Sequence, residues 1–338
     1  MKFDFIIGNP PYQEETAGTS DLPVYNYYMD EAYKAARAVL LISPARFLFN
    51  AGKTPKRWNR KMLEDPHFKV IKYEPDSEKF FRGVDIKGGL AITYRDSSKY
   101  FGPITRFTPY RELNNILKKV LARGDFKSMA GLVYQQTKWD LDALYADYPE
   151  SRALIGSGGR ERRLTTPIFS TLAVFSDSPA PDKIRILGLL KNKRVYRYID
   201  KRYIDLNSVN LFKHKVVLAA SSGSGAFGET FPAPSIEGPG TGYTQSFIGF
   251  GALGAREEAE ALGKYLKSKF ARALLSILKA TQHNHKDAWS LVPAQDFSSA
   301  SDIDWSSTTA KIGASLYDKY GLNFEEIVFI ENNVKPME

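Results

Sequence analysis

The sequence predicts an α/β fold over its first part and an α+β region after it. Three features predict this. Short apolar runs alternate with helix-patterned stretches up to about residue 105, the composition changes beyond that point, and one long amphipathic stretch at residues 256–279 dominates the rest. Alternating strand and helix patterns are the signature of a layered sheet with parallel strands. A chain of 338 residues is long enough for two domains, each with its own core, and they are expected at residues 1–105 and 106–338.

Residues 3–8 (FDFIIG) read as a buried strand that runs straight into Asn9-Pro10-Pro11-Tyr12. Neither proline can donate a backbone hydrogen bond, so strand pairing ends there. Residues 23–37 follow with helical spacing, Tyr25, Tyr28, Ala32 and Ala36 sharing one face. Residues 39–43 (VLLIS) form a second buried run, ended by Pro44. A basic helix is expected at 55–65, and strands at 70–73 and 90–94. Nothing precedes the first strand, so the sheet reads as incomplete. Further on come a basic amphipathic helix at 109–123, a Gly/Arg loop at 156–166, a turn at 176–182 and a strand at 215–219. Residues 221–242 hold so many glycines and prolines that they predict a long loop. In residues 256–279 an apolar side chain recurs every four positions, at Leu262, Leu266, Phe270, Leu274 and Leu278, which predicts one continuous helix.

Composition narrows the function. Apolar residues make up 43% and charged residues 25%, which is the balance of a globular chain. A formal charge of +9 suits a polyanionic partner, because lysines and arginines near phosphates release counterions. The absence of cysteine excludes disulfides, thiolate catalysis and cysteine-based zinc sites. The four histidines include only one close pair, His283 and His285, which lacks a third ligand, so no metal is expected. Glu257, Glu258 and Glu260 sit where a helix begins and favour its dipole, and Asp140, Asp142 and Asp147 read as surface residues. No apolar run reaches the roughly 18 residues of a membrane span, and no basic-then-apolar leader opens the chain; a cytoplasmic protein is expected.

Asn9-Pro10-Pro11-Tyr12 after an apolar strand is the strongest chemical signal. The lone pair of an exocyclic amino group is normally delocalised into its base. A side-chain amide oxygen from Asn9 and the backbone carbonyl of Pro10 can accept the two amino hydrogens, which localises that lone pair. Paired prolines stiffen the turn, and Tyr12 offers a flat ring on which an extruded base stacks. A methyl group leaving a sulfonium cation is already activated, so neither a metal nor a strong base is required.

On these residues the chain resembles the gamma-type, TaqI-like amino-methyltransferases, especially the adenine methylases of type II restriction–modification systems. FDFIIGNPPYQ (3–13) is similar to their catalytic motif and its strand, LISPARFL (41–48) to the strand and turn that follow, and FFRGVDIKGGL (80–90) to the segment that carries a second aromatic. Residues 265–297 and 315–337 are similar to the recognition region and tail of the same enzymes. The resemblance spans nearly the whole chain. It implies a partial Rossmann-like methyltransferase sheet, from its fourth strand onward, followed by an α+β target-recognition domain with a helical tail. It further implies methyl transfer from S-adenosylmethionine to the N6 amine of adenine in double-stranded DNA after base flipping. Asn9, Pro10, Pro11 and Tyr12 then form the catalytic turn, and Phe80, with Phe81 second, clamps the base. Expected DNA contacts are Arg160, Arg162 and Arg163 in the Gly/Arg loop, and Lys269, Arg272, Lys279, His283 and Lys286 on and after the long helix, beside Trp289.

The resemblance also marks a gap. Its glycine-rich turn for S-adenosylmethionine lies ahead of the catalytic motif, where this sequence has eight residues. The donor-binding part is therefore expected to be missing, and a separate donor-binding segment or a restriction subunit is the expected partner. Ser222 to Phe227 (SGSGAF) resembles that turn, yet Pro232, Pro234 and Pro239 stand where a helix must follow, so it is read as a loop unrelated to cofactor. The turn chemistry serves cytosine as well as adenine; adenine rests on the resemblance. A DNA-binding specificity module, or an inactive remnant, is the alternative.

Overall fold

The computed structural model describes residues 3–14, 22–83, 86, 88–155, 161–279 and 282–337. The chain divides into two compact units, Met1–Lys118 and Lys119–Glu338. The first contains β1 (Phe3–Gly8), β2 (Gln13–Glu14), β3 (Leu22–Pro23), α1 (Tyr25–Ala35), β4 (Ala36–Pro44), α2 (Lys56–Glu64), β5 (Phe68–Glu74) and β6 (Leu90–Asp96), and α3 (Arg111–Leu121) spans the boundary.

Four of these strands form one sheet in the order β1-β4-β6-β5. The expectation of parallel strands holds for β1 and β4 alone; β6 runs antiparallel to both β4 and β5. The connections explain the difference. Helix α1 provides the crossover that a parallel neighbour needs, and α2 carries the chain past one strand position. The link from β5 to β6 contains only a short helical turn at Ser77–Lys79, so β6 folds back into the vacant position.

The first strand is a second correction. Alternate side chains divide between its two faces, with Ile6 packed on the core side. Phe3, Phe5 and Ile7 on the other face are 53%, 49% and 71% exposed. Among the described residues, strand β1 is therefore an edge strand with an uncovered apolar face. Helix α1 is also shorter than its pattern: Tyr28 faces solvent, and Ala36 already belongs to β4. In α2 the division is clean, with Trp58, Asn59, Met62 and Leu63 buried and Lys56, Arg57, Arg60 and Lys61 outside.

The second unit comprises β7 (Val133–Tyr134), α4 (Leu141–Asp147), α5 (Ser151–Leu154), α6 (Ile168–Thr171), β8 (Lys183–Leu190), β9 (Lys193–Asp200), β10 (His214–Ala219), β11 (Ser235–Glu237), β12 (Thr241–Tyr243), β13 (Phe247–Leu253), α7 (Arg256–Lys267), α8 (Lys269–Leu275), α9 (Thr309–Lys319) and α10 (Phe324–Asn333). Its sheets run β11-β10-β13-β7 and β12-β8-β9. The single helix expected at 256–279 breaks at Ser268, whose backbone turns extended and whose hydroxyl caps α8 by accepting the Ala271 N–H at 3.2 Å. The tail forms the helix pair α9 and α10, which packs on α7 and α8. No described helix is long and apolar enough to cross a membrane.

Candidate active site

Strands β1, β4 and β5 point the same way, because two antiparallel steps through β6 restore direction. Gly8 registers with Leu41, and Pro44 and Glu74 both register with Leu90. Residues 9–12, 45–50 and 75–81, together with the glycines leading into β6, therefore emerge at one end of the sheet. That end, outside the carboxyl ends of the strands, is where open α/β sheets place their ligands.

At this end Asn9 and Pro11 are exposed, and Pro10 and Tyr12 are half-buried. The turn is anchored from behind. The Tyr12 carbonyl accepts the Val24 N–H at 3.2 Å, and β2 pairs antiparallel with β3, so the chain leaves the turn and returns to it at the start of α1. The Tyr12 hydroxyl is shut off from solvent with no hydrogen bond of good geometry; burial pushes its pKa up, and the nearby Asn9 side chain opposes that shift. Asn26 Oδ1 and Ser43 Oγ are likewise buried without a partner among the described residues. Buried polar atoms normally find partners.

The loop after β4 is held by a polar chain. Thr54 Oγ1 donates to Asn59 Oδ1 at 2.7 Å, and Asn59 Nδ2 donates to Asn50 Oδ1 at 3.2 Å. Asn50 itself has φ 54°, a left-handed value that asparagine tolerates. Burial drives the Tyr25 phenol up to about 12, with Thr54 and Arg46 opposing.

Phe80 and Phe81 sit at the same end, both half-buried, with ring centroids 6.4 Å apart. The Lys72 ammonium lies 5.0 Å from the Phe80 centroid, so one face of that ring carries a cation. Two glycines fix the path that follows. Gly89 has φ 74°, and a Cβ there would fall on the Glu74 carbonyl; a Cβ on Gly88 would meet Arg46 Cγ at 2.7 Å. The Ala45 N–H, donating to the Gly89 carbonyl at 3.0 Å, ties this path to the loop after β4. Along β5 runs a cleft of about 700 Å³ lined by Lys69, Lys72, Arg106, Arg111 and Lys118, with no carboxylate among its lining residues.

In the second unit the expected DNA contacts separate into two groups, and Arg160 lies outside the described residues. Arg162 and Arg163 are exposed, the former paired with Asp205 at 3.0 Å. His283 and Lys286 are exposed, and His283 Nδ1 lies 2.9 Å from Ser221 Oγ. Of the other three, Arg272 and Lys279 are buried and Lys269 is half-buried and ion-paired. Arg272 is 1% exposed and donates to the carbonyls of Lys267, Glu229 and Lys335. Lys279 is 5% exposed and bound to Glu229 and the Ser222 carbonyl. Lys269 is held by Glu331 of α10 at 2.6 Å. A helical period reveals one apolar stripe only; the tail engages Lys269 and Arg272, and the glycine loop engages Arg272 and Lys279. Trp289 is likewise core, 4.7 Å from the Phe250 ring.

The exposed candidates converge. Leu164 accepts the Gln245 N–H at 2.8 Å, and the Thr166 and Ser246 hydroxyls lie 2.9 Å apart. The Ser246 carbonyl accepts the Ala220 N–H at 2.8 Å, and the Ala220 carbonyl accepts the Asn284 N–H at 2.8 Å. Segments 162–166, 219–222, 244–247 and 282–286 thus meet at one end of this unit. The β8–β9 hairpin reaches the same end, with the Arg194 guanidinium 5.6 Å from the Phe247 ring. The sequence reading missed this hairpin. Its signal was the pairing of apolar and basic positions on either side of Lys191-Asn192.

The glycine loop is already filled. Glu229 accepts the N–H groups of Ser224 at 2.8 Å and Gly225 at 2.9 Å, and pairs with Lys279 at 2.5 Å. Burial acts to raise the Glu229 pKa, but Lys279 and the two amides outweigh it and hold the carboxyl at about 2. No helix follows; the next element is β11. The donor set that resembled a cofactor turn serves an internal carboxylate and does not fit S-adenosylmethionine. Among the described residues no cluster of three or more His, Cys, Asp or Glu side chains is placed to hold a metal ion.

Residues 1–81 match the family model of the Eco57I restriction-modification methylases. Among solved structures, the chain is similar to one reported as the type IIG restriction endonuclease BpuSI, with 9% identity and a TM-score of 0.32, over 88% of this chain and 44% of that one. The chain thus spans less than half the length of that structure. No curated protein matches it.

Proposed function

We propose that this chain holds the target base and reads the DNA for a methyltransferase of a restriction–modification system that modifies the N6 amine of adenine. One observation carries the reading: an exposed Asn9 on a proline-stiffened turn at the carboxyl end of β1, inside the segment that matches the methylase family. Asn9 Oδ1 and the Pro10 carbonyl accept the two amino hydrogens of a flipped adenine, and the Tyr12 ring stacks on it. Phe81, whose neighbour Phe80 already carries Lys72, or Phe80 itself, closes the other face.

The sheet supports a partial Rossmann-like arrangement, since β1, β4 and β5 share one direction with α1 and α2 as crossovers. S-adenosylmethionine is the methyl donor in this reading. The glycine loop of this chain does not cradle it, so a separate donor-binding segment is the proposed partner. The free edge and uncovered apolar face of β1 offer that segment a strand to pair with. Duplex DNA is the other partner, suited by the +9 charge and the carboxylate-free cleft along β5.

The test is label transfer. The chain, alone and with a donor-binding segment, is incubated with labelled S-adenosylmethionine and unmethylated duplex DNA, and the product nucleosides are separated. Label on adenine is the expected result. Label on cytosine keeps the turn chemistry and overturns the base assignment. DNA binding without label in either arm favours the second reading, a specificity module without catalysis, which the filled glycine loop supports.

A further inference from the structure

Among the described residues, the cations of the β8–β9 hairpin sort by position. Toward its base nearly every one is engaged. Lys183 donates to Ser176 at 2.6 Å, Arg185 pairs with Glu237 at 2.9 Å, Arg197 pairs with Asp177, and Lys201 pairs with Asp182 at 2.6 Å. Arg194 donates to the Ala233 carbonyl at 2.8 Å. Only Lys191 and Lys193, at the tip, make no ion pair or side-chain hydrogen bond among the described residues, and both are exposed with Asn192 between them.

The backbone sets this tip deliberately. Leu190 registers with Lys193, which leaves Lys191-Asn192 as a two-residue turn, with φ of 49° and 61°. Two successive left-handed residues match the twist of a hairpin. Asparagine suits such a position, but lysine, with its Cβ, does not, and glycine or asparagine is the relaxed choice. A strained lysine at an exposed tip is a placement that folding alone does not ask for. The third strand, β12, pairs only with Arg185 to Leu187, so the distal part is a two-stranded ribbon.

We propose that the β8–β9 hairpin is a base-reading ribbon that enters the major groove of duplex DNA, with Lys191, Asn192 and Lys193 at its tip. It rests on the proposed role in DNA modification. A two-stranded ribbon fits the width of that groove. Asparagine matches the donor–acceptor edge of adenine, and lysine the two acceptors of guanine. Segments 162–166 and 282–286 meet the 244–247 turn, whose Phe247 lies against Arg194 of the hairpin, and their exposed Arg163, His283 and Lys286 suit phosphate contacts.

The test uses the whole chain. A preferred duplex is selected from a randomised pool, and its affinity is compared with that of random duplex at several salt concentrations. Lys191→Gly, which relaxes the turn, and Lys193→Ala are then measured, with thermal melting as the control for folding. Each is expected to weaken the preferred duplex on the order of tenfold and to leave random duplex within about threefold. Replacing purines of the preferred site by analogues without the N7 acceptor is expected to give the wild-type chain the same loss. Equal losses on both duplexes assign the tip to phosphates and overturn base reading. Unchanged binding by both variants removes the hairpin from the interface while the DNA role stands. A wild-type chain that binds no duplex overturns the DNA role itself.

Discussion

Two turns in this molecule both resemble ligand sites in sequence and behave oppositely in structure. Asn9-Pro10-Pro11-Tyr12 and the Ser222–Gly228 loop each follow an apolar strand, and each carries the residues that hold ligands elsewhere. In the first, Asn9 is exposed and the Tyr12 hydroxyl has no hydrogen bond of good geometry among the described residues. In the second, the amides of Ser224 and Gly225 close on Glu229, and Lys279 balances its charge. A motif becomes a ligand site when its polar groups remain unspent; the same donors, satisfied internally, become a structural staple.

The largest expected effect breaks this contrast at the open turn. Asn9→Ala should lower methyl transfer by about 10²–10³-fold or more, the scale of losing one preorganised hydrogen-bonding group, with DNA affinity and melting temperature unchanged. Full-rate transfer by that variant would sink the assignment of the turn.

The filled turn should respond in stability instead. Glu229→Ala strands the Lys279 ammonium in a buried site and should cost about 3 kcal/mol in denaturant unfolding. The pH dependence has a definite sign. The carboxyl is held at about 2 against an ordinary 4.5, so its contribution is complete above pH 4.5 and is lost as pH falls toward 2. A wild-type profile across that window no steeper than that of Glu229→Gln would contradict the staple.

Next comes the path into β6. Gly89→Ala combines a left-handed φ with a clash against the Glu74 carbonyl, and should destabilise by about 2 kcal/mol, more than Gly83→Ala, whose Cβ would meet nothing within 4 Å. Comparable losses from both would show that backbone conformation alone matters there. The smallest effect should be Tyr12→Phe. Its hydroxyl has no well-formed hydrogen bond to lose among the described residues, so transfer should stay within about threefold, whereas Tyr12→Ala removes the stacking ring and should cost at least tenfold. A large loss in Tyr12→Phe would assign the hydroxyl a contact to the base.

Much of this was written in local pattern. The strand before Asn9, the prolines that end it, the strands around residues 41, 72 and 92 and the amphipathic α2 all declare themselves through period and breakers. Strand direction did not, because β6 is placed by the shortness of the link from β5, which no local period encodes. Nor did the engagement of Lys269, Arg272 and Lys279, which exists only once the tail and the glycine loop close on α7, α8 and the residues after them.

The sequence by itself determined the turn, the functional groups it carries and the basic character of the chain, because backbone rigidity and functional groups are properties of neighbours along the chain. Tertiary structure alone decided which cations remain free and which polar groups remain unspent. Those depend on what distant segments bring to the same place: among the described residues, Glu237, Asp177 and Asp182 pair with cations away from the Lys191–Lys193 tip.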